Sequence, residues 1–253
     1  MGTGYTDKII MSIGGSLIVP KTGIDTSFLK NLNHFIREQL KLDSGVAQLP
    51  RMTEEKQARM TNGKQFFLVV GGGTTARQYR DAGQAVVGHE LSREDLDWLG
   101  IHATRLNAQL IRTIFRDLAH PFIVKNYEII RKVTEPVVVA SGWKPGWSTD
   151  YDAVLLCEDY GVKTVLNLSN VDRAYDKDPN KYPDAKPINA INWAEFRKIV
   201  GDEWVPGMNA PFDPVAAKKA EELGIKVVIL NGNDFENLGR YFKGEQFVGT
   251  VIE

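Results

Sequence analysis

Short uninterrupted apolar runs alternate along the chain with longer stretches in which apolar residues recur every three or four positions. The runs "KIIMSI" (8–13), "FFLVV" (66–70), "PFIVK" (121–125), "PVVVAS" (136–141), "KTVLNLS" (163–169) and "KVVIL" (226–230) predict buried strands, and "GTVIE" closes the chain with a last one. Between the first two, Phe28, Leu29, Leu32, Phe35, Ile36 and Leu40 form one apolar stripe behind a cap at Asp25 or Thr26, which predicts a helix to about 41. Further helices are predicted to about 87 behind Gly71–Thr75, from Ser92 to about 118, and over 149–160, 192–200, 213–223 and 234–242. Val/Ile/Leu-rich strands interleaved with amphipathic helices imply an α/β fold with a mostly parallel sheet covered on both faces. Two stretches fall outside this rhythm. Residues 42–64 are polar and predict an excursion from the fold, and 170–188, rich in Asp, Pro, Asn and Lys, predicts an ordered loop or hairpin.

Composition narrows the function classes. The chain has 253 residues, 43% hydrophobic and 25% charged, with formal net charge -1, enough for one large α/β domain or two closely joined lobes. That balance lacks the basic surplus a nucleic-acid binder needs. No apolar run reaches the roughly 18 residues of a membrane helix, and the first residues enter a strand without a leader pattern, so a soluble, cytoplasmic protein is expected. The single cysteine, Cys157, sits in an apolar helical stretch and reads as a buried thiol. His34, His89, His102 and His120 lack ligand spacing, and no protein metal site is expected.

Chemistry is expected at the carboxyl ends of the strands. The loops there are Gly14-Gly15-Ser16, Gly71 to Thr75, Gly142 to Thr149, and Ser169 to Asp172. Glycine permits close backbone approach and a following helix start offers free N–H groups to an anion, so three glycine-bearing loops point to one polyanionic ligand or two phosphorylated ones. The P-loop, Rossmann, protein-kinase and nucleophile-elbow patterns are all missing.

In order along the chain, "SIGGSLIVP", "VVGGGTTARQY", "DWLGIHATRLNA", "SGWKPGWSTD", "NVDRAYDKDP" and "FDPVAAKKAEELGIKVVILNG" resemble the amino-acid kinase superfamily, specifically the archaeal-type uridylate (UMP) kinases. The resemblance covers residues 8–253 apart from 42–64. It implies a single three-layer αβα sandwich, an acceptor and oligomerisation lobe over about 1–140, and an ATP lobe over about 141–253. The implied reaction moves the γ-phosphoryl of Mg-ATP to UMP, with Mg²⁺ as cofactor, in a homo-oligomer, dimer or hexamer. Carried over by motif, Ser12, Ile13, Gly14, Gly15 and Ser16 line the transfer path, Gly15 among the catalytic groups. Gly73, Arg77, Ser169, Tyr175 and Asp178 are assigned to ATP. Gly72, Asp97 and the loop Gly142, Trp143, Lys144, Pro145, Gly146, Trp147, Ser148 and Thr149 are assigned to UMP. Asp97 is expected to accept hydrogen bonds from the ribose diol, and a tryptophan face to stack on the pyrimidine, an interaction of roughly 1–3 kcal/mol.

Two departures stand out. The family loop usually carries smaller or polar residues where the tryptophans are, and most of the superfamily, though not the archaeal-type branch, has a lysine where this chain has Ser12. Charge on the transferring phosphoryl still needs neutralising. Lys218 is the expected cation, with Asp150 holding it or the Mg²⁺ in place. Competing readings are another small-molecule kinase of the superfamily, of acetylglutamate or isopentenyl phosphate type, and a non-catalytic nucleotide binder like the molybdenum storage proteins.

Overall fold

A computed structural model describes residues 5–41, 53, 61–179, 181–203 and 210–253. Most of the expected 42–64 excursion lies outside these. Its last residue, Lys64, already opens the second strand.

Strand residues alternate between two apolar clusters. Met11, Ile13, Phe66, Leu68, Val70, Val137 and Val139 enter one, while Ile10, Phe67, Val69, Val138 and Ala140 enter the other. This is the period of two of a pleated strand, here apolar on both faces because both are covered. Strands β1 (Asp7–Ile13), β2 (Lys64–Val70), β3 (Val137–Ser141), β4 (Thr164–Ser169), β5 (Ala190–Ile191), β6 (Lys226–Asn231) and β7 (Thr250–Ile252) form a sheet ordered β3-β2-β1-β4-β6-β7-β5. Every neighbouring pair is parallel except β6 with β7.

The described helices are α1 (Gly15–Ile18), α2 (Thr26–Gln39), α3 (Gly73–Val86), α4 (Arg93–Ile114), α5 (Thr149–Tyr160), α6 (Trp193–Val200), α7 (Pro214–Leu223) and α8 (Phe235–Phe242). The first cluster takes side chains from α2, α4 and α8, the second from α5, α6 and α7. The result is the expected αβα sandwich. Side-chain caps fix several helix starts: Asp25 accepts from the N–H groups of Ser27 and Phe28, Ser92 from Asp95, Ser148 from Tyr151, and Asp213 from Ala216. Cys157 is buried, and burial pushes its thiol up to about 12, as expected of an inert core residue.

One predicted strand is corrected. Around 121–125 the chain makes only isolated bridges, Ala119 with Val137 and Val124 with Ala140. Pro121 has no N–H to give a ladder, and Phe122 is left exposed. The helix expected to run to 118 ends at Ile114 and continues as turns.

The chain lays β1, β2 and β3 outward in one direction, then returns to place β4 on the other side of β1. At that reversal the loops following β1 and β4 part, which is where an open α/β sheet forms its ligand crevice.

Candidate active site

The loops after β1 and β2 interlock through backbone. A Cβ on Gly15 would lie 2.0 Å from the Gly73 nitrogen and 2.6 Å from the Gly71 carbonyl carbon. Gly73 has φ +62°, and its own Cβ would meet the Gly15 oxygen at 2.3 Å. At these positions glycine therefore admits a neighbouring loop rather than a ligand. The fused pair presents its remaining edge to a cavity of about 300 Å³, lined by Gly15, Ser16 and Gly72 on one side.

Helix α4 supplies the opposite wall and holds the loops in register. Asn107, buried, donates through Nδ2 to the carbonyls of Gly71 (2.9 Å) and Gly72 (3.0 Å). Thr104 Oγ1 accepts from the Gly142 N–H at 2.9 Å, and Arg105 donates to the Trp143 carbonyl at 3.0 Å. Asp97 Oδ2 accepts from the Gly146 N–H at 2.7 Å. These side chains recur at helical spacing, so one face of α4 grips both the loop after β2 and the loop after β3.

Asp97 is 5% exposed, and its other oxygen, Oδ1, is buried without a hydrogen-bond partner. An orphaned acceptor of this kind is costly unless a ligand satisfies it. Burial raises the Asp97 pKa, opposed by the Gly146 hydrogen bond and by the charge of Arg80. Hydrogen bonds expected from a diol would fall to Oδ1, since Oδ2 is already committed to Gly146.

Arg77 and Arg80 line the same cavity, one turn apart on α3. Arg77 donates to Thr74 Oγ1 at 2.8 Å and reaches Ser16 Oγ at 3.4 Å, bridging the two glycine loops. Expected beside ATP, it stands instead in the cavity of Asp97. Arg80 was not anticipated. Its Nε donates to the Leu96 carbonyl at 2.8 Å, and its guanidinium rests on the backbone of α4 at Gly100, where a Cβ would meet Nη2 at 2.2 Å. The spacing from Arg77 was the available signal, because i and i+3 share a helix face.

Where α5 begins, Asp150 accepts from Ser12 Oγ at 2.9 Å and from the Asp213 N–H at 3.3 Å. Burial and the neighbouring Asp213 carboxylate raise its pKa to about 6. Ser12 therefore spends its hydroxyl on Asp150.

Lys218 is not among the hydrogen-bond or charge partners of Asp150. It is exposed on α7, opposite the buried Ala216, Ala217 and Ala220, and lines neither cavity described here. From α7 it is the cap residue, Asp213, that bonds to Asp150.

The tryptophan loop divides. Trp147, Ser148, Thr149 and Gly142 line the cavity, whereas Trp143, Lys144 and Pro145 do not. Trp143 packs on Tyr127 with ring centroids 5.8 Å apart, against the second core cluster. Lys144 Nζ lies 4.1 Å from the Trp143 ring centroid, 4.4 Å from that of Trp147 and 3.5 Å from Glu128 Oε1. The lysine expected at a phosphate is thus held between two indoles.

Across the β1–β4 reversal, Ser169, Tyr175 and Asp178 come together as expected, lining a second cavity of about 370 Å³ with Val171, Ile199 and Pro211. Its apolar walls and rim of Asp and Asn suit a flat heteroaromatic ring with polar edges.

The description of the amino acid kinase family matches residues 7–231. The chain belongs to the amino acid kinase family. Among its curated relatives in that family, it is 32% identical to the uridylate kinase of Methanospirillum hungatei, covering 96% of this chain and 94% of that one. It is also 32% identical to the uridylate kinase of Methanothermobacter thermautotrophicus, covering 97% and 98%. The crystal structure of uridylate kinase from Archaeoglobus fulgidus superposes with TM-score 0.75 at 28% identity, covering 97% of this chain and all of that one. At 16% identity, the UMP kinase structure from Bacillus anthracis, TM-score 0.71, shares the amino acid kinase fold. Among the described residues no helix is long and apolar enough to cross a membrane, and none of their His, Cys, Asp and Glu form a group able to hold a metal by themselves.

Proposed function

We propose that the protein is a UMP kinase, transferring the γ-phosphoryl group of ATP to UMP to give UDP and ADP. The observation that carries this is the smaller cavity. It pairs a buried carboxylate with one unsatisfied oxygen, suited to a ribose hydroxyl, with two guanidinium groups suited to a phosphate. The second cavity, on the far side of the reversal, takes the adenosine of ATP. The acceptor half (1–140) and the ATP half (141–253) meet along the join of β1 and β4, with the loop 142–149 folded back onto the acceptor side.

An oxygen of the UMP phosphate, already ionised, attacks the γ-phosphorus. The bond to the β,γ-bridging oxygen breaks, and its electron pair leaves with ADP. No general base is needed, so the protein's task is positioning and charge neutralisation. Arg77, on the line between the glycine loops, and Arg80 beside it supply the cations expected from Lys218. The start of α5 at Ser148 and Thr149 adds free N–H groups at the same cavity.

Mg²⁺ arriving with the triphosphate needs few protein ligands, and those should be oxygens. Asp150 with Ser12 is such a set. The Asp150 carboxyl, raised by burial and by Asp213, is a group that a cation would return to its ionised form. There Mg²⁺ would offset charge on the phosphate oxygens. The family likeness further supports a cytoplasmic homo-oligomer, dimer or hexamer.

The test is ADP release from Mg-ATP by purified protein with UMP, CMP, dUMP, AMP or no acceptor. Rapid release dependent on UMP supports the reading. Proven ATP binding with no release above background on any nucleoside monophosphate refutes it.

A further inference from the structure

Trp147 is the only one of the two loop tryptophans to face the acceptor cavity, and it is not free to adapt to what enters. Its ring centroid lies 4.7 Å from that of Trp143 and 4.6 Å from that of Tyr151, both edge-to-face, with Lys144 Nζ 4.4 Å away. Each brace is itself anchored. Tyr151 is in the first turn of α5, Lys144 is shared with Trp143 and Glu128, and Trp143 is set on Tyr127 with its carbonyl held by Arg105. The preceding residue, Gly146, is tied to Asp97. Swinging the indole away would break several of these contacts together. The facing wall, Asp97, Gly100, Ile101 and Thr104 on α4, is bonded to the same loop through Thr104 and Gly142. Both walls of the slot are therefore joined through side-chain bonds from α4 to the loop that carries Trp147.

We infer that Trp147 acts as a rigid size limit at the acceptor site, admitting a single-ring base and rejecting a two-ring one, rather than as a stacking platform. The inference rests on the reading of this cavity as the UMP site, and it names how that site selects its substrate. The cavity of about 300 Å³ must hold phosphate and ribose as well as base, and it stands at the small end of ligand sites. Braced aromatic rings cannot yield the room a purine needs.

The experiment is steady-state kinetics of wild type, Trp147→Ala, Trp147→Phe and Lys144→Ala, each with UMP, CMP, AMP and GMP as acceptor. Melting temperatures are recorded in parallel. Trp147→Ala is expected to raise the AMP-to-UMP ratio of kcat/KM at least tenfold, mainly through a lower KM for AMP, with Trp147→Phe between it and wild type. Lys144→Ala, which removes a brace without lining the cavity, should move the ratio the same way by a smaller factor. A ratio within twofold of wild type in all folded variants overturns the inference. If Trp147→Ala fails to fold, the Phe and Lys144 variants decide by the same criterion. A wild type that phosphorylates UMP while the ratio stays fixed defeats this inference alone. A wild type inactive on every nucleoside monophosphate defeats the kinase reading beneath it as well.

Discussion

Replacing Asp97 by Asn tests the acceptor site with little change of shape. In the wild type Oδ2 accepts from Gly146 at 2.7 Å, while Oδ1 is buried and unpaired. The amide oxygen of Asn can retain the Gly146 bond, so the loop stays in place. The amide nitrogen then stands where Oδ1 was, turning a charged acceptor into a neutral donor and removing the negative charge that opposes Arg80. A hydrogen bond to a charged group contributes about 1.5–3 kcal/mol, and about 1.4 kcal/mol is a factor of ten. The expected loss in kcat/KM for UMP is thus about 10- to 150-fold. Coupled ADP-release kinetics with UMP and with 2′-deoxy and 3′-deoxy UMP read it out. The penalty should shrink for the acceptor that lacks the hydroxyl facing Oδ1. An Asp97→Asn protein with unchanged melting temperature and kcat/KM for UMP within twofold of wild type would refute the argument from the orphaned oxygen.

Gly100→Ala places a methyl against the Arg80 guanidinium, the far end of a flexible side chain, so the fold should survive while KM for UMP rises several-fold in the same assay. Gly15→Ala sets a methyl against the Gly73 backbone, which cannot yield, and soluble expression or a melting scan should show loss of the folded protein. Glu135 is 2.7 Å from His120 Nδ1. Burial raises its pKa, but the His120 hydrogen bond and charge outweigh this and leave it below the ordinary 4.5. A depressed carboxylate contributes stability above its unfolded pKa that is lost as pH falls through the folded one. Glu135→Gln should therefore lower the melting temperature near neutral pH and flatten its decline below about pH 4.5.

The strands were legible because apolar runs bounded by Gly, Pro and polar residues leave few alternatives, and their two-sided burial made the parallel sheet legible too. At 121–125 the apolar run was present, yet Pro121 withholds a ladder donor and only isolated bridges form. The helix periodicity of 213–223 carried a warning about Lys218, since Ala216, Ala217 and Ala220 define the buried face and Lys218 lies off it. Which cavity Arg77 serves, and that Lys144 is spent on two indoles, depend on contacts between loops distant in sequence. Asn107 was illegible for a related reason. A buried amide inside a helix shows its purpose only when the carbonyls it caps are in place.

Helix α4 carries a consequence for motion. From Asp97 to Asn107 it spans about 15 Å at the rise of an α-helix, and over that length it bonds two loops that belong to different strands. The amides of Gly142 and Gly146 sit outside any regular element, yet their hydrogen exchange should be as slow as opening the helix allows. The loops after β2 and β3 should then open together with α4 rather than singly. On the proposed reading, closure around two nucleotides is then expected from the β4 side, with the two loops bonded to α4 moving as a pair.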